Sequence, residues 1–566
     1  MKRTRAVRRR IAGGVVAAML VSTAVLAANP ALRPVPVAAN LSGLDWNAAG
    51  FLALPPGARP VNRTFPTQFH GARPSYAVRR HGLQQDIIAY NTPIQHLVVI
   101  LMENRTPENL FGAFWNTTNR ATHRTFGQDL DLADPAGPPR LRAFPLEAAF
   151  DPIHTHVPGF TNDAQNNWSL NKPDCPPQGS CPPHATDLAY VPTPAPRSNA
   201  APEVANYISL IENWAYANHV MQSNEGPSFP AHQYAISGQS GGIVGSSIAP
   251  NGLAENPIPS PKPPAPPIPD DIAIGGGSCA TGMSNVVKTT NMTRPYPGDE
   301  DSKGQPTPYP CNDYQTIFDL MLKYPANQPA YDVWQYIAED ADIIWSGPMA
   351  VSHLYASYER ASKSGNTSRQ PFAADPDAQN FVANLTNRNP NPVRPFAALT
   401  YITPCVEQSD HPNFNGKSNG PQWLAWVVNA IGNSPYWNNT AIIVTWDDWG
   451  GFYDNYRSSP WPYHPAGNFY NNPLDPNEWG FRVPFLFISP YVTRRGYVSP
   501  TVRSQGAILN FAEQLFLPPG ATLDGDDNAN ANSTIDDMVD FAQLPLPYVT
   551  LPTTFRPTPH SKGCPV

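Results

Sequence analysis

The sequence predicts an α/β fold: a largely parallel central sheet flanked by helices and carrying long proline-rich loop insertions. Three observations predict it. Short, wholly apolar runs occur at 96–102, 396–402, 441–446 and 483–488, as expected of strands buried on both faces. Between them, apolar residues recur at helical spacing: Val204, Tyr207, Ile208, Ile211 and Trp214, then Ile317, Leu320 and Met321, then Trp423, Trp426, Val427 and Ile431, with a further helical pattern at 506–516. Strands alternating with helices favour a mainly parallel sheet. Proline supplies 69 of 566 residues, about twice the usual share, which places irregular but ordered loops around that sheet. No internal repeat is found.

The N-terminus reads as an export signal. Lys2, Arg3, Arg5, Arg8, Arg9 and Arg10 precede an uncharged run over 11–28 that ends in Ala27 and Ala28, a small-residue cleavage site. This predicts a signal peptide over 1–28 and a secreted, periplasmic or envelope location; an uncleaved anchor is the alternative, since a run of 18 residues just spans a bilayer. Residues 29–89 show no period and are expected to form an extended arm, leaving 90–566 as the catalytic domain. Within it lies a proline-rich insertion at about 250–305, whose stretch 257–269 has eight prolines and cannot be a helix or a central strand. Six cysteines in an exported chain suggest disulfides; Cys175 with Cys181 and Cys279 with Cys311 are the expected pairs. The absence of a C-x-x-C pair argues against a zinc ribbon. A net charge of -7, with no basic run beyond the N-terminus, argues against nucleic acid as partner.

The chemistry is expected at strand ends. The first apolar run leads into Glu103 and Asn104, and the third into Asp447, Asp448, Trp449, Gly450 and Gly451. Ligands of open parallel sheets bind beyond the carboxyl ends of the strands. Adjacent strand residues face opposite ways, so Asp447 and Asp448 share a site only if the strand has ended there, as Gly450–Gly451 suggests. Three carboxylates and an amide suit a hard divalent cation such as calcium, magnesium or manganese, with zinc or iron compatible. Loop capping and salt bridges are the structural alternative. Ser228, in Gly226-Pro227-Ser228-Phe229-Pro230, is expected at a helix N-terminus, where free N–H groups favour an anion; an ordinary N-cap is the alternative. His154, His353 and His411 are candidate acids or phosphate contacts, each equally a candidate structural histidine. Gly238-Gln239-Ser240-Gly241-Gly242 fits a G-x-S-x-G nucleophile elbow, but the residues after it make a poor helix.

These stretches resemble the bacterial phosphoesterase family of phospholipases C and acid phosphatases. The matching segments are His96 to Arg105 with Asn109 to Gly112, Ser409-Asp410-His411-Pro412, Ser434 to Trp437, Thr440 to Asp454, Gly480 to Pro484 and Ile488 to Tyr491. The resemblance covers much of 94–545. It implies an alkaline-phosphatase-like core, hydrolysis of phosphoric mono- or diesters, Glu103, Asn104, Asp447 and Asp448 as ligands of a divalent metal ion, Ser228 as nucleophile, and His154, His353 and His411 as active-site histidines. The implied partner is a small phosphorylated substrate or phospholipid headgroup, with membrane contact only through substrate. The family often has histidine where Asn455 and Pro500 stand here, which bears on substrate binding rather than on core chemistry. Alternatives are a serine carboxylesterase using Ser240, a sulfate ester hydrolase and a non-catalytic envelope-binding protein.

Overall fold

Every residue of β1 (His96–Met102) is buried, as is every residue of β6 (Thr440–Trp446), which is what a strand sandwiched between helices requires. The two pair in parallel from His96 opposite Thr440 to Met102 opposite Trp446, so both end at one level. In the computed structural model the remaining strands of this sheet are β2 (Ala215–Met221), β3 (Trp334–Ala338), β4 (Phe372–Ala374), β5 (Leu399–Thr403), β7 (Phe485–Ile488) and β8 (Tyr497–Ser504). Their order is β4-β3-β5-β1-β6-β7-β2-β8. Only β7 pairs antiparallel to its neighbours, β6 and β2; the other strands all run one way. Phe485 lies opposite Thr445, so the chain re-enters the sheet at the edge it left after Trp446.

The structure describes residues 92–118, 142–154, 185–192, 203–240, 314–324, 333–338, 345–364, 372–374, 378–386, 396–412, 418–454, 479–518, 521–523 and 534–557, isolated residues 160, 163, 183 and 279, and short strands at 76–80, 83–89, 243–248 and 286–289. The expected signal peptide, most of the arm, most of the proline-rich insertion, and Cys175, Cys181, Cys311 and Cys564 lie outside the described residues. Within the arm, Tyr76–Arg80 and Leu83–Ala89 pair as an antiparallel hairpin. Neither Cys279 nor Cys405 is a free thiol.

The flanking helices are α1 (Pro107–Thr118), α2 (Ala205–Asn213), α3 (Ser228–Ser237), α4 (Ile317–Lys323), α5 (Ser352–Ser364), α6 (Gln379–Thr386), α7 (Gly420–Gly432) and α8 (Ala507–Phe516). α7 packs against α2 and α6, and α8 against α3 and α4. The helical spacing over 204–214 carries through Asn213, but Trp214 closes the helix and β2 begins at the next residue. Polar Asn218 and His219 inside β2 hide that strand from an apolarity count. β8 carries Pro500 and a register shift between Ser499 and Val502, tolerable because it is an edge strand.

One buried ion cluster fastens two of the signature stretches to each other and to α1. Arg482 Nη2 contacts Glu108 Oε1 of α1 and Asp454 Oδ1, each at 2.5 Å. Its backbone N–H donates to Asp454 Oδ2 at 2.8 Å, and Nη1 donates to Asn218 O of β2 at 3.3 Å. Burial pushes the Glu108 carboxyl well above the usual range, against the pull of Arg482. Removing the guanidinium leaves two carboxylates buried together. Arg482→Met is therefore expected to destabilise the fold by about 3–5 kcal/mol, read as a lower urea midpoint at unchanged slope; a midpoint within error of the parent would refute the cluster's role.

Candidate metal and nucleophile site

The parallel pairing continues just past the strand ends. Asp447 N donates to Met102 O at 2.9 Å, Glu103 N to Ser409 O at 2.8 Å, and Arg105 N to Asp448 O at 3.1 Å. Asn104 sits between them with φ 60°, a left-handed conformation that asparagine tolerates better than most residues, and its N–H donates to Asp447 Oδ1 at 3.0 Å. Gly450 also has φ +60°, and a Cβ there would lie 2.4 Å from Asn104 O. Only glycine lets the loop after β6 lie on Asn104. β6 does end at Trp446, so Asp447 and Asp448 are free of strand alternation.

Ser228 is the first residue of α3, behind Pro227. The N-cap position is taken by Pro227. Ser228 Oγ lies 3.0 Å from Glu103 Oε2, 3.2 Å from Asn104 Oδ1 and 3.2 Å from Asp448 Oδ2. One hydroxyl proton cannot serve three oxygens at once. Asp447 Oδ2 is buried and accepts no hydrogen bond. Carboxylate and amide oxygens thus converge around a serine at a helix N-terminus, all within the buried interior. That donor set fits a hard divalent cation, with Glu103, Asn104, Asp447 and Asp448 as its holders and Ser228 Oγ alongside.

A residue outside the expected set completes this cluster. His232 Nε2 lies 2.8 Å from Glu103 Oε1 and 3.7 Å from Asp447 Oδ2. Glu103, Asp447 and His232 are grouped closely enough to share an ion. His232 follows Ser228 by four residues, one helical turn, and so falls on the same helix face. That spacing was the available signal. Gly347 backs it: a Cβ there would lie 2.7 Å from His232 O.

Two of the three expected histidines come together. His154 and His411 are fully buried with ring centroids 6.3 Å apart, and with Asp151 they form a second close group. His154 Nε2 is 3.1 Å from Asn104 Nδ2, which links it to the cluster. His353 stands apart from both groups. It lies in the first turn of α5, its side chain is 37% exposed, and Nε2 pairs with Asp319 Oδ1 of α4 at 3.0 Å; it belongs to neither buried group. The Asp319 side chain, held low by its bond from His353 and by Thr316 even though burial opposes this, gives His353 a structural partner.

The stretch Ser409 to Pro412 divides its work. Ser409 O receives Glu103 N, and Ser409 Oγ accepts His411 N at 3.1 Å. Arg105 donates twice to Asp410 O, from Nε at 2.9 Å and Nη2 at 2.6 Å. Asp410 Oδ2 accepts from Tyr207 Oη at 2.7 Å and Trp446 Nε1 at 3.2 Å. Burial pushes the Asp410 carboxyl up to about 6, with the Arg105 charge opposing.

The elbow at Ser240 has its elements in the wrong order. Helix α3 precedes it, closed by left-handed Gly238 at φ 67°, and the strand Ile243–Ile248 follows. A nucleophile elbow needs strand, turn, helix, so the carboxylesterase reading loses its geometry.

Against known proteins, the family model described as "Phosphoesterase family" matches residues 94–517. The chain belongs to the Phosphoesterase family. Among curated relatives, it is 34% identical over 96 residues to non-specific phospholipase C6 of Arabidopsis thaliana, covering 16% of this chain and 18% of that one. It is 26% identical over 175 residues to non-hemolytic phospholipase C of Pseudomonas aeruginosa (26% and 25% of the two chains). It is 24% identical over 191 residues to phospholipase C A of Mycobacterium tuberculosis (30% and 35%). These matches span at most about a third of the relatives' lengths. Among solved structures, an alkaline phosphatase superfamily protein from Vibrio parahaemolyticus aligns over 54% of this chain and 60% of its own at 11% identity and TM-score 0.24. Murine ectonucleotide pyrophosphatase/phosphodiesterase 5 aligns over 56% and 91% at 11% identity and TM-score 0.29.

Two outcomes follow from this geometry. His232→Ala removes a donor that holds Glu103 and is expected to weaken divalent-metal binding by about 10–100-fold, measured by equilibrium dialysis; unchanged affinity would show that His232 plays no part. Asp410 binds its proton more tightly folded than unfolded, so its favourable contribution is complete below about 3.8 and is lost as pH rises to about 6. Thermal melts of Asp410→Asn should lack the decline between those pH values that the parent shows.

Proposed function

We propose that this chain hydrolyses phosphoric esters of the phospholipase C or acid phosphatase kind, with Ser228 as nucleophile and a divalent metal held by Glu103, Asn104, Asp447 and Asp448. The observation that carries this reading is the position of Ser228 Oγ, at the start of its helix and 3.0–3.2 Å from Glu103, Asn104 and Asp448. Membership of the Phosphoesterase family and relatives named phospholipases C support it. A bound divalent cation would neutralise the carboxylates and lower the proton affinity of the serine hydroxyl.

Ser228 gives up its proton toward Glu103 Oε2 and attacks phosphorus in line, while the bond from phosphorus to the alcohol oxygen breaks. The first turn of α3 stabilises the phosphoryl oxygens. His411 Nδ1 lies 2.6 Å from Pro412 O; a carbonyl only accepts, so Nδ1 carries a proton and Nε2 is the nitrogen that gains or loses one. In this reading His411 protonates the leaving alcohol. Water then attacks the phosphoserine, His411 takes its proton, and the bond from phosphorus to Oγ breaks as Glu103 Oε2 returns the first proton to Oγ. Action outside the cytoplasm belongs to the same proposal, on the strength of the basic and then apolar segment at 1–28.

The test is hydrolysis of para-nitrophenyl phosphate and para-nitrophenyl phosphorylcholine, with and without chelator. Release from either substrate that is lost with chelator and restored by a divalent ion is expected, and the preferred ester separates the two activity classes. Ser228→Ala should lower turnover by more than about 1,000-fold without changing the melting temperature. Most of the activity surviving in Ser228→Ala, or indifference to chelator, would overturn the mechanism. No turnover by the parent across pH and added metals would instead favour a non-catalytic binding protein.

A further inference from the structure

His154 has both ring nitrogens engaged in ways that fix its tautomer. Nδ1 lies 2.7 Å from Pro152 O. A carbonyl oxygen only accepts, so Nδ1 carries a proton. Asp151 Oδ1 stands 3.8 Å from the same nitrogen, beyond hydrogen-bond reach. Nε2 lies 3.1 Å from Asn104 Nδ2. An amide nitrogen only donates, so the Nε2 lone pair accepts and the ring is neutral.

The consequence falls on the far side of the amide. With Nδ2 committed to His154, Asn104 Oδ1 faces Ser228 Oγ at 3.2 Å. Turning the amide over would set Oδ1 against the Nε2 lone pair and present an N–H₂ group, which cannot ligate a cation, to the serine and carboxylates. The backbone cannot compensate, because Asn104 N is tied to Asp447 Oδ1 and its φ of 60° is held under Gly450. The ring itself is fixed: it is fully buried and stands edge-on to Trp449 at 6.1 Å with an interplanar angle of 89°.

We infer that His154 is a positioning residue: its neutral ring fixes the Asn104 amide with Oδ1 toward the metal and nucleophile, and it is not the acid that protonates the leaving group. This rests on the proposed metal-assisted mechanism and deepens it. A proton donor at Nε2 would have to abandon Asn104, and a second ion on Asp151, His154 and His411 would have to displace either Pro152 O or Asn104.

Two variants separate positioning from acid catalysis. Glutamine can offer an amide oxygen where Nε2 was but cannot act as an acid, whereas alanine offers neither. His154→Ala is expected to weaken divalent-metal binding about 10–100-fold by equilibrium dialysis, with its melting curve confirming that it folds. His154→Gln is expected to stay within about threefold of the parent in metal affinity. It should also keep similar fractions of kcat on para-nitrophenyl phosphate, whose leaving group needs no acid, and on an alkyl phosphate, whose leaving group does. Normal metal affinity in both variants, or a His154→Gln defect confined to the alkyl ester, would overturn the inference. Failure of the unaltered chain to bind any divalent ion would instead sink the underlying mechanism, and is read in a different sample.

Discussion

Three buried carboxylates, Glu103, Asp447 and Asp448, gather at one sheet edge, two of them against the Ser228 hydroxyl, and their mutual repulsion is the constraint that shapes the rest of this site. Like charges at such separations, away from water, raise one another's proton affinity unless positive charge or N–H groups face them. The fold supplies part of what is needed. Asn104 N serves Asp447 Oδ1, Gly450 N donates to Asp448 Oδ1 at 2.6 Å, and His232 serves Glu103. Asp447 Oδ2 accepts no hydrogen bond, and the single proton of Ser228 is divided among three candidate acceptors. A divalent cation would close that deficit with the charge the cluster lacks, which is why the arrangement makes more physical sense as a candidate binding site than as a set of salt bridges.

Holding the carboxylates together is a task for residues that take no part in chemistry. Two cations do most of it from a distance. Arg105 grips the Asp410 carbonyl and so fixes the turn that presents His411 and receives Glu103 N. Arg482 joins α1, β2 and the end of the loop after β6. Both are buried beside the sheet edge that bears the site. Two of their partners, Asp410 and Asp454, fall in the stretches that first marked the resemblance to phosphoesterases, so part of what looks like an active-site motif is the frame around it.

What the sequence disclosed follows from locality. Strands β1 and β6 stood out because burial on both faces leaves a solid apolar run, and their acidic ends were legible for the same reason: a charge directly after such a run has to be explained. Ser228 was legible from the proline two residues on, which marks a helix start. β2 and β8 were hidden because Asn218, His219 and Pro500 break the pattern, and whether a polar residue is tolerated in a strand depends on neighbours far away in sequence. The surroundings of His353 were hidden for a related reason. A histidine at a helix start looks alike whether it faces a phosphate or, as here, Asp319 on the next helix.

His232 shows the limit from the other side. Nothing in its own neighbourhood marks it, yet one turn of helix binds its position to that of Ser228, so once the serine is taken as functional the histidine's face is determined. The same logic runs through Asn104. Its conformation is set by Gly450, its N–H by Asp447 and its amide by His154, each from a different segment of the chain. A side chain held at three points has little freedom to adapt. The fold therefore orders the oxygens of this site, and it does so most tightly at the one uncharged member of the proposed ligand set, where orientation decides whether an oxygen or an N–H group would meet a cation.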